Sequence, residues 1–184
     1  MAQFTHVDSF AAPAARVGAL LSSQELWRAR QDALARWATG LRPSELGALP
    51  DLMRQLEGTS VLAYPNGASR LEFAMTVHPQ ALGDAASMVK AFLSGDLRAH
   101  VTEEWGAPAP DGSRTGRVEV RLDNPQVVVS AQASLYPTDD GCQRRLSGDV
   151  TVNVPLLGGM LAGKATEHVG GLCLADAAVV RALL

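Results

Sequence analysis

Between residues 97 and 154, polar and apolar side chains alternate through four consecutive segments. The segments are LRAHVTEEW, RVEVRL, QVVVSAQASLY and CQRRLSGDVTVNV, and the linkers APAPDGSRT, DNP and PTDDG have compositions typical of turns. In the second segment, Val118, Val120 and Leu122 fall on one face, and charged residues fall on the other. The alternation therefore predicts consecutive antiparallel strands in a sheet with one apolar face and one solvated face.

The apolar face of such a sheet needs a cover, and the C-terminal segment can supply it. From Leu156 to Leu184, residues suited to an inward face recur at steps of three and four, which predicts one long helix across the sheet. The predicted inward stripe comprises Leu157, Leu161, Ala165, His168, Leu172, Ala175, Val179 and Leu183. The predicted fold class is therefore α+β.

The N-terminal half of the sequence supplies three further strands. Residues Gln3 to Phe10 alternate in polarity and precede Pro13, so they are predicted to form the first strand. Asn66-Gly67 lies between the apolar runs SVLAY and RLEFAMTV and predicts a hairpin with strands at 59–64 and 69–77, because Asn and Gly tolerate positive φ. With the four later segments, these strands make a curved antiparallel sheet of seven.

Helical spacing predicts three helices before the meander. The first carries apolar residues from Ala14 to Leu21, and the second carries them from Leu26 to Trp37. Ser22 or Ser23 is predicted to cap the second helix. A third helix is predicted from Pro79 to Gly95, since proline suits the first turn of a helix and glycine its end.

Length and composition set limits on the class of protein. A chain of 184 residues, 47% hydrophobic and 19% charged, is predicted to be one globular domain spanning 1–184. A net charge of -3 provides no basic field for nucleic acid. The start MAQFTHVDSF lacks the features of a secretory signal, and no run of about 18 apolar residues occurs, so a cytoplasmic protein without a transmembrane segment is expected.

The order of elements resembles the helix-grip fold of the START-like superfamily, also called SRPBCC. FAAPAARVGALLSSQELWRAR, MVKAFLSGDLRAHVTEEW and GDVTVNVPLLGGMLAGKATEHV resemble three blocks of the actinobacterial family DUF2505, and together they span nearly the whole chain. Extra sequence from Trp37 to Leu56, whose leucine spacing predicts helical structure over 43–56, departs from the family pattern. The resemblance implies an apolar cavity between helix and sheet, and it implies no established activity.

A glycine-rich motif and a pair of cysteines resemble functional sites, but both are interpreted as structural. Gly158, Gly163 and Lys164 match GxxxxGK, but Ala165 stands where a phosphate-binding loop has Ser or Thr, so small residues for close packing or for ligand space are favoured. Cys142 and Cys173 lack metal-ligand spacing and are predicted to be reduced. No metal or cofactor is expected.

Several single residues were interpreted one by one, and some allow more than one interpretation. The alternation places Glu103 on the face of Val101 and Trp105. Its three interpretations are an acid with a raised pKa, a solvated group and the partner of an arginine. His168 on the inward stripe is either a satisfied core residue or a group at a cavity wall. Small side chains at Ala131 and Ala133 either leave volume beneath the helix or allow a tight contact, and Arg144 and Arg145 are interpreted as charges at a sheet edge.

The leading hypothesis is a non-catalytic protein that binds or carries a hydrophobic small molecule, such as a lipid or a polyketide-like compound, between the C-terminal helix and the sheet. The predicted ligand-contacting residues are Met75, Glu103, Trp105, Val129, Ala131, Val152, His168 and Leu172. One alternative is a cyclase, aromatase or hydrolase-like enzyme with Glu103 and His168 as acid and base. Another is a structural protein with a filled core. The oligomeric state is left open.

Overall fold

The computed structural model describes residues 1–39, 56–77, 97–123, 127–153 and 158–184. The elements are β1 (Ala2–Phe10), α1 (Ala14–Leu21), α2 (Gln24–Thr39), β2 (Leu56–Ala63), β3 (Ser69–Val77), β4 (Leu97–Trp105), β5 (Arg114–Leu122), β6 (Val127–Thr138), β7 (Gly141–Val152) and α3 (Gly158–Leu183). The predicted helix at 79–95 lies outside the described residues. So does the predicted helical segment at 43–56, except for Leu56, which begins β2 instead.

The seven strands form one antiparallel sheet in the order β1-β7-β6-β5-β4-β3-β2. Each strand from β2 to β7 pairs with its neighbour in sequence, as the meander and hairpin signals predict. The first strand joins the far side of the sheet by pairing with β7, with Ala2 opposite Val150 and Phe10 opposite Cys142. The predicted α+β class and strand number are confirmed.

The hairpin between β2 and β3 follows from its turn chemistry. Gly67 has φ of 82°, and its N–H donates to the carbonyl of Tyr64. The side chain of Asn66 accepts a hydrogen bond from the N–H of Ala68 at 3.1 Å. Both features are those that make Asn-Gly a turn sequence.

Strand β5 begins at Arg114, three residues before the predicted segment RVEVRL. The alternation breaks at Gly116, which lies opposite Trp105 in β4 and opposite Ala133 in β6. A Cβ at Gly116 would lie 2.8 Å from Cε3 of Trp105. Glycine is therefore required there because the indole lies across the backbone. Since glycine has no side chain, the alternating pattern did not extend back to the true start of the strand.

Helix α3 packs against β1, β7 and α2. Its most deeply buried residues are Ala162, Ala177 and Val180, whereas Ala175 of the predicted stripe is exposed. Leu161, Ala165, Val179 and Leu183 of the predicted stripe pack against the core, so the described part of the stripe faces inward as predicted except at Ala175, and the most buried line of the helix lies about one residue later. The physical reason is that the face nearest the sheet is formed by small side chains and by Asp176, which a hydrophobicity pattern does not select.

Two groups of buried side chains form the core. The larger joins both N-terminal helices to the end of α3 and contains Phe10, Val17, Leu21, Leu26, Trp105, Leu135 and Val180. The smaller lies under the start of α3 and contains Val150, Val152 and Ala162. Ser23 caps α2 by accepting the N–H of Leu26 at 3.1 Å. No helix among the described residues is long and apolar enough to cross a membrane.

Candidate functional site

A chain of buried ion pairs crosses the interior from β4 to β1. Nη1 of Arg30 in α2 lies 2.8 Å from Oε2 of Glu103, and its Nε lies 2.7 Å from Oδ1 of Asp176 in α3. The other carboxylate oxygen of Asp176 lies 2.5 Å from Nη1 of Arg144 in β7. Nη2 of Arg144 in turn contacts Oδ2 of Asp8 in β1 at 2.8 Å. We call these five residues the ionic chain.

Negative and positive side chains alternate along the ionic chain, and Asp8, at its β1 end, contacts two further side chains. Oδ1 of Asp8 lies 2.8 Å from Nε2 of His6, and Arg181 approaches the same oxygen to 3.9 Å. The side chains of Arg144 and Asp8 are only 2% and 1% exposed. A charge buried to this degree requires opposite charges at hydrogen-bond distance, which each member has.

Mutual attraction holds these groups in their charged forms. Burial would raise the pKa of Asp176, but Arg30 and Arg144 lower it to about 2. Burial would likewise lower the pKa of Arg30, but Asp176 and Glu103 raise it. Burial also raises the pKa of the Cys173 thiol to about 11, so this free thiol is protonated at neutral pH.

Glu103 faces inward beside Trp105, as the alternation predicts, and it is paired with an arginine. Its Oε1 accepts the indole N–H of Trp105 at 2.6 Å, and its Oε2 accepts a hydrogen bond from Arg30. Both oxygens are therefore engaged. A cavity of about 10 Å³, with room for about one water molecule, lies against Trp27, Arg30, Glu103 and Trp105.

The interpretation of Arg144 as a sheet-edge charge is wrong. The edge position is occupied by β1, so β7 is an interior strand, and Arg144 points to the inner face between Leu135 and Asp8. The adjacent Arg145 is exposed. Pairing between the first and last strands decides which charge is buried, and no local pattern reports that pairing.

Arg30, Asp8 and Asp176 are members of the ionic chain that the sequence interpretation did not select. A signal was present for Arg30, which lies three residues after Trp27 and four before Leu34 on the apolar face of the predicted helix. Asp8 shares the inward parity of Phe10 in the first strand. Charged residues at inward positions are the signal that would have found both.

Six of the eight predicted ligand-contacting residues have described side chains, five of them on the inner face of the sheet and Leu172 on α3. Val129 and Leu172 are half-buried, whereas Trp105, Ala131 and Val152 are buried. Met75 lies in β3 opposite Ala99, and His168 lies in α3, but the side chains of both fall outside the described residues.

An apolar wall occupies the inner face of β4, β5 and β6. It consists of Val101, Val118, Val120 and Val129, all of them half-buried. Pairing places Val120 between Val101 and Val129, and Val118 between Glu103 and Ala131. We call these four residues the valine wall. The ion pair of Glu103 therefore lies at one end of an apolar surface.

The glycine-rich start of α3 is explained in part by close packing. A Cβ at Gly158 would lie 2.4 Å from the carbonyl oxygen of Val152, so a larger residue would push the helix from the sheet. Gly163 has open space around it. Within the described ranges, no group of three or more His, Cys, Asp or Glu side chains is arranged to hold a metal ion.

The model of a family described as "Protein of unknown function (DUF2505)" matches residues 5–184. This chain belongs to the DUF2505 family. The resemblance seen in its three sequence blocks is thereby confirmed. No curated protein matches the sequence of this DUF2505 protein.

Solved structures resemble the DUF2505 protein in fold at low sequence identity. A protein from Thermus thermophilus is 16% identical, with 99% of each chain covered and a TM-score of 0.53. A START superfamily protein from Mycobacterium smegmatis is 17% identical, with 99% of each chain covered and a TM-score of 0.47. Dicamba monooxygenase bound to 3,6-dichlorosalicylic acid is 14% identical, with a TM-score of 0.51 over 98% of this chain and 48% of that chain. The DUF2505 protein therefore shares its fold with the Thermus thermophilus protein.

Proposed function

We propose that this DUF2505 protein binds a hydrophobic small molecule, such as a lipid or a polyketide-like compound, against the valine wall beneath α3. The observation that carries the proposal is the half-burial of four inward valines in the middle of the sheet. On the side where α3 packs against β1 and β7, the equivalent residue Val150 is completely buried. Apolar surface left accessible on an inner face is the usual lining of a small-molecule site.

The polar end of the valine wall would orient such a ligand. Glu103 and Arg30 form a neutral pair there, and Glu103 also accepts a hydrogen bond from the buried indole of Trp105. Ligand binding sites commonly combine an apolar lining with a few fixed polar groups. Ala131, Val152, Leu172, Met75 and His168 complete the set of residues that we propose to contact the ligand.

Binding is favoured over catalysis because of the state of Glu103. A general acid or base must exchange a proton with the substrate, yet both oxygens of Glu103 already accept hydrogen bonds from Arg30 and Trp105. In the enzyme hypothesis with Glu103 and His168, the proton would go to a second lone pair of an oxygen that already accepts a hydrogen bond from Arg30 or Trp105.

Blocking the valine wall tests the proposal. Thermal-shift and native mass-spectrometry screens with fatty acids and aromatic polyketides are expected to find a ligand that raises the melting temperature. In Val120→Phe, the added ring occupies the surface of the wall, and affinity for that ligand is expected to fall by about tenfold or more. The matched control is Arg121→Phe, which adds the same ring to the opposite, exposed face.

Two results would count against binding at the wall. The first is a screen in which no compound stabilises the protein or remains bound to it. The second is a ligand whose affinity is the same for Val120→Phe, Arg121→Phe and the unmodified protein, because such a ligand would bind elsewhere.

A further inference from the structure

A separate groove of about 290 Å³ lies where α1 meets two of the strand-connecting turns. Apolar and small side chains form most of its surface, and the one charged residue in the lining is Arg114. The residues used below are Ala15, Gly18, Ala19, Ala63, Gly67 and Arg114. No residue of the valine wall lines the groove, and Ser22 is the only groove residue that also lines the small cavity beside Glu103.

Arg114 is deeply buried, with 7% of its surface exposed, yet its guanidinium is incompletely satisfied. Nη1 donates to the carbonyl of Gly18 at 2.7 Å and to Oγ of Ser22 at 3.0 Å, and Nη2 donates to the carbonyl of Gly67 at 2.7 Å. The buried Nε has no hydrogen-bond partner. Since a guanidinium has five N–H donors, these bonds leave the Nε donor and one Nη2 donor free.

The charge of Arg114 also lacks a full counter-charge in the part of the chain that the structure describes. Arg30 and Arg144, which are buried as well, each contact two carboxylates, whereas Arg114 contacts two carbonyls and a hydroxyl. Burial lowers the pKa of Arg114, with no neighbouring acid to oppose the shift. Carbonyl dipoles at the end of α1 supply only partial negative charge.

We propose that this groove binds a small amphipathic carboxylate, with the carboxylate at the free Nη2 donor of Arg114 and the apolar body against Ala15, Ala19 and Ala63. A carboxylate at this donor would supply the counter-charge that Arg114 lacks, and such charge-assisted hydrogen bonds are stronger than neutral ones. The groups that accept hydrogen bonds from Arg114 belong to Gly18, Ser22 and Gly67, and all three residues line the groove, so the guanidinium lies at its wall. The volume is near the lower limit of small-molecule sites, about 300 Å³, which suits a single ring or a short chain.

Nuclear magnetic resonance titration with benzoate and with benzamide tests the proposal. The two probes share a shape, but only benzoate carries the charge. Benzoate is expected to shift the Nε–H signal of Arg114 and the amide signals of Gly18 and Gly67 in a saturable manner, and benzamide is expected to bind at least about tenfold more weakly. Equal affinities for both probes, or no saturable shift of these signals, would overturn the proposal.

Two variants test whether benzoate binds in the groove itself. Ala19→Phe fills the groove from an exposed helix position and is expected to abolish the benzoate response, whereas Ala182→Phe makes the same change on the exposed face of α3 and is expected to retain it. Retained benzoate binding in Ala19→Phe would contradict the site. Val120→Phe is expected to bind benzoate normally, so failure of the interior ligand proposal leaves this one testable.

Discussion

Nη1 of Arg30 donates to Oε2 of Glu103 over 2.8 Å, and this hydrogen bond joins α2 to β4 inside the molecule. Both side chains are largely buried, with exposed fractions of 12% and 11%. The same arginine holds Asp176 with Nε, so a single side chain fixes the position of two helices relative to the sheet. The ionic chain is therefore a structural element as well as the polar end of the proposed ligand site.

Replacing one carboxylate of this chain should be costly. Glu103→Gln keeps the shape and the acceptor for Trp105 but removes the charge facing Arg30, and we expect the free energy of unfolding to fall by about 1.5–3 kcal/mol. Glu104→Gln, one residue along on the exposed face, breaks only a surface pair with Arg70 and should cost no more than about 1 kcal/mol. Urea denaturation measures both, and equal losses would contradict a buried role for Glu103.

The stability of the protein should depend on Asp176 at acidic pH. Its pKa falls from an ordinary value of 3.8 to about 2 in the folded protein, so the contribution is complete above about pH 4 and is lost as the pH falls through 2. The shift corresponds to about 2–3 kcal/mol. In Asp176→Asn, the free energy of unfolding, measured by denaturation at a series of pH values, should decline less steeply between about pH 4 and pH 2. Parallel profiles for the two proteins would refute the assignment.

The same substitution at two glycines should have opposite effects. Gly116→Ala places a Cβ 2.8 Å from the Trp105 ring and 2.4 Å from the carbonyl oxygen of Glu104, so we expect a loss of about 1–3 kcal/mol in the free energy of unfolding. Gly163→Ala adds a methyl group in open space on a helix and should stabilise the protein by about 0.5–1 kcal/mol. Denaturant unfolding monitored by tryptophan fluorescence compares them, and a stabilised Gly116→Ala would exclude the proposed contact.

The sequence by itself determined the strands, their antiparallel succession and the terminal helix. The β4 segment was predicted with its observed limits, Leu97 to Trp105, and the Asn66-Gly67 turn was predicted with its partner strands. These features are readable because side-chain periodicity and turn chemistry are local properties of the backbone. The inward face of Glu103 was also readable, for the same reason.

Only the tertiary structure decided which inward charges meet. Arg30 and Asp176 are 146 residues apart in sequence, and Asp8 reaches Arg144 only because β1 pairs with β7. The phase of α3 was likewise decided by close packing of Ala162 and Ala177 and by the ion pairs of Asp176. A sequence pattern reports whether a position faces inward, but the partner of a buried charge depends on strand order and helix docking, which are set by contacts between distant segments.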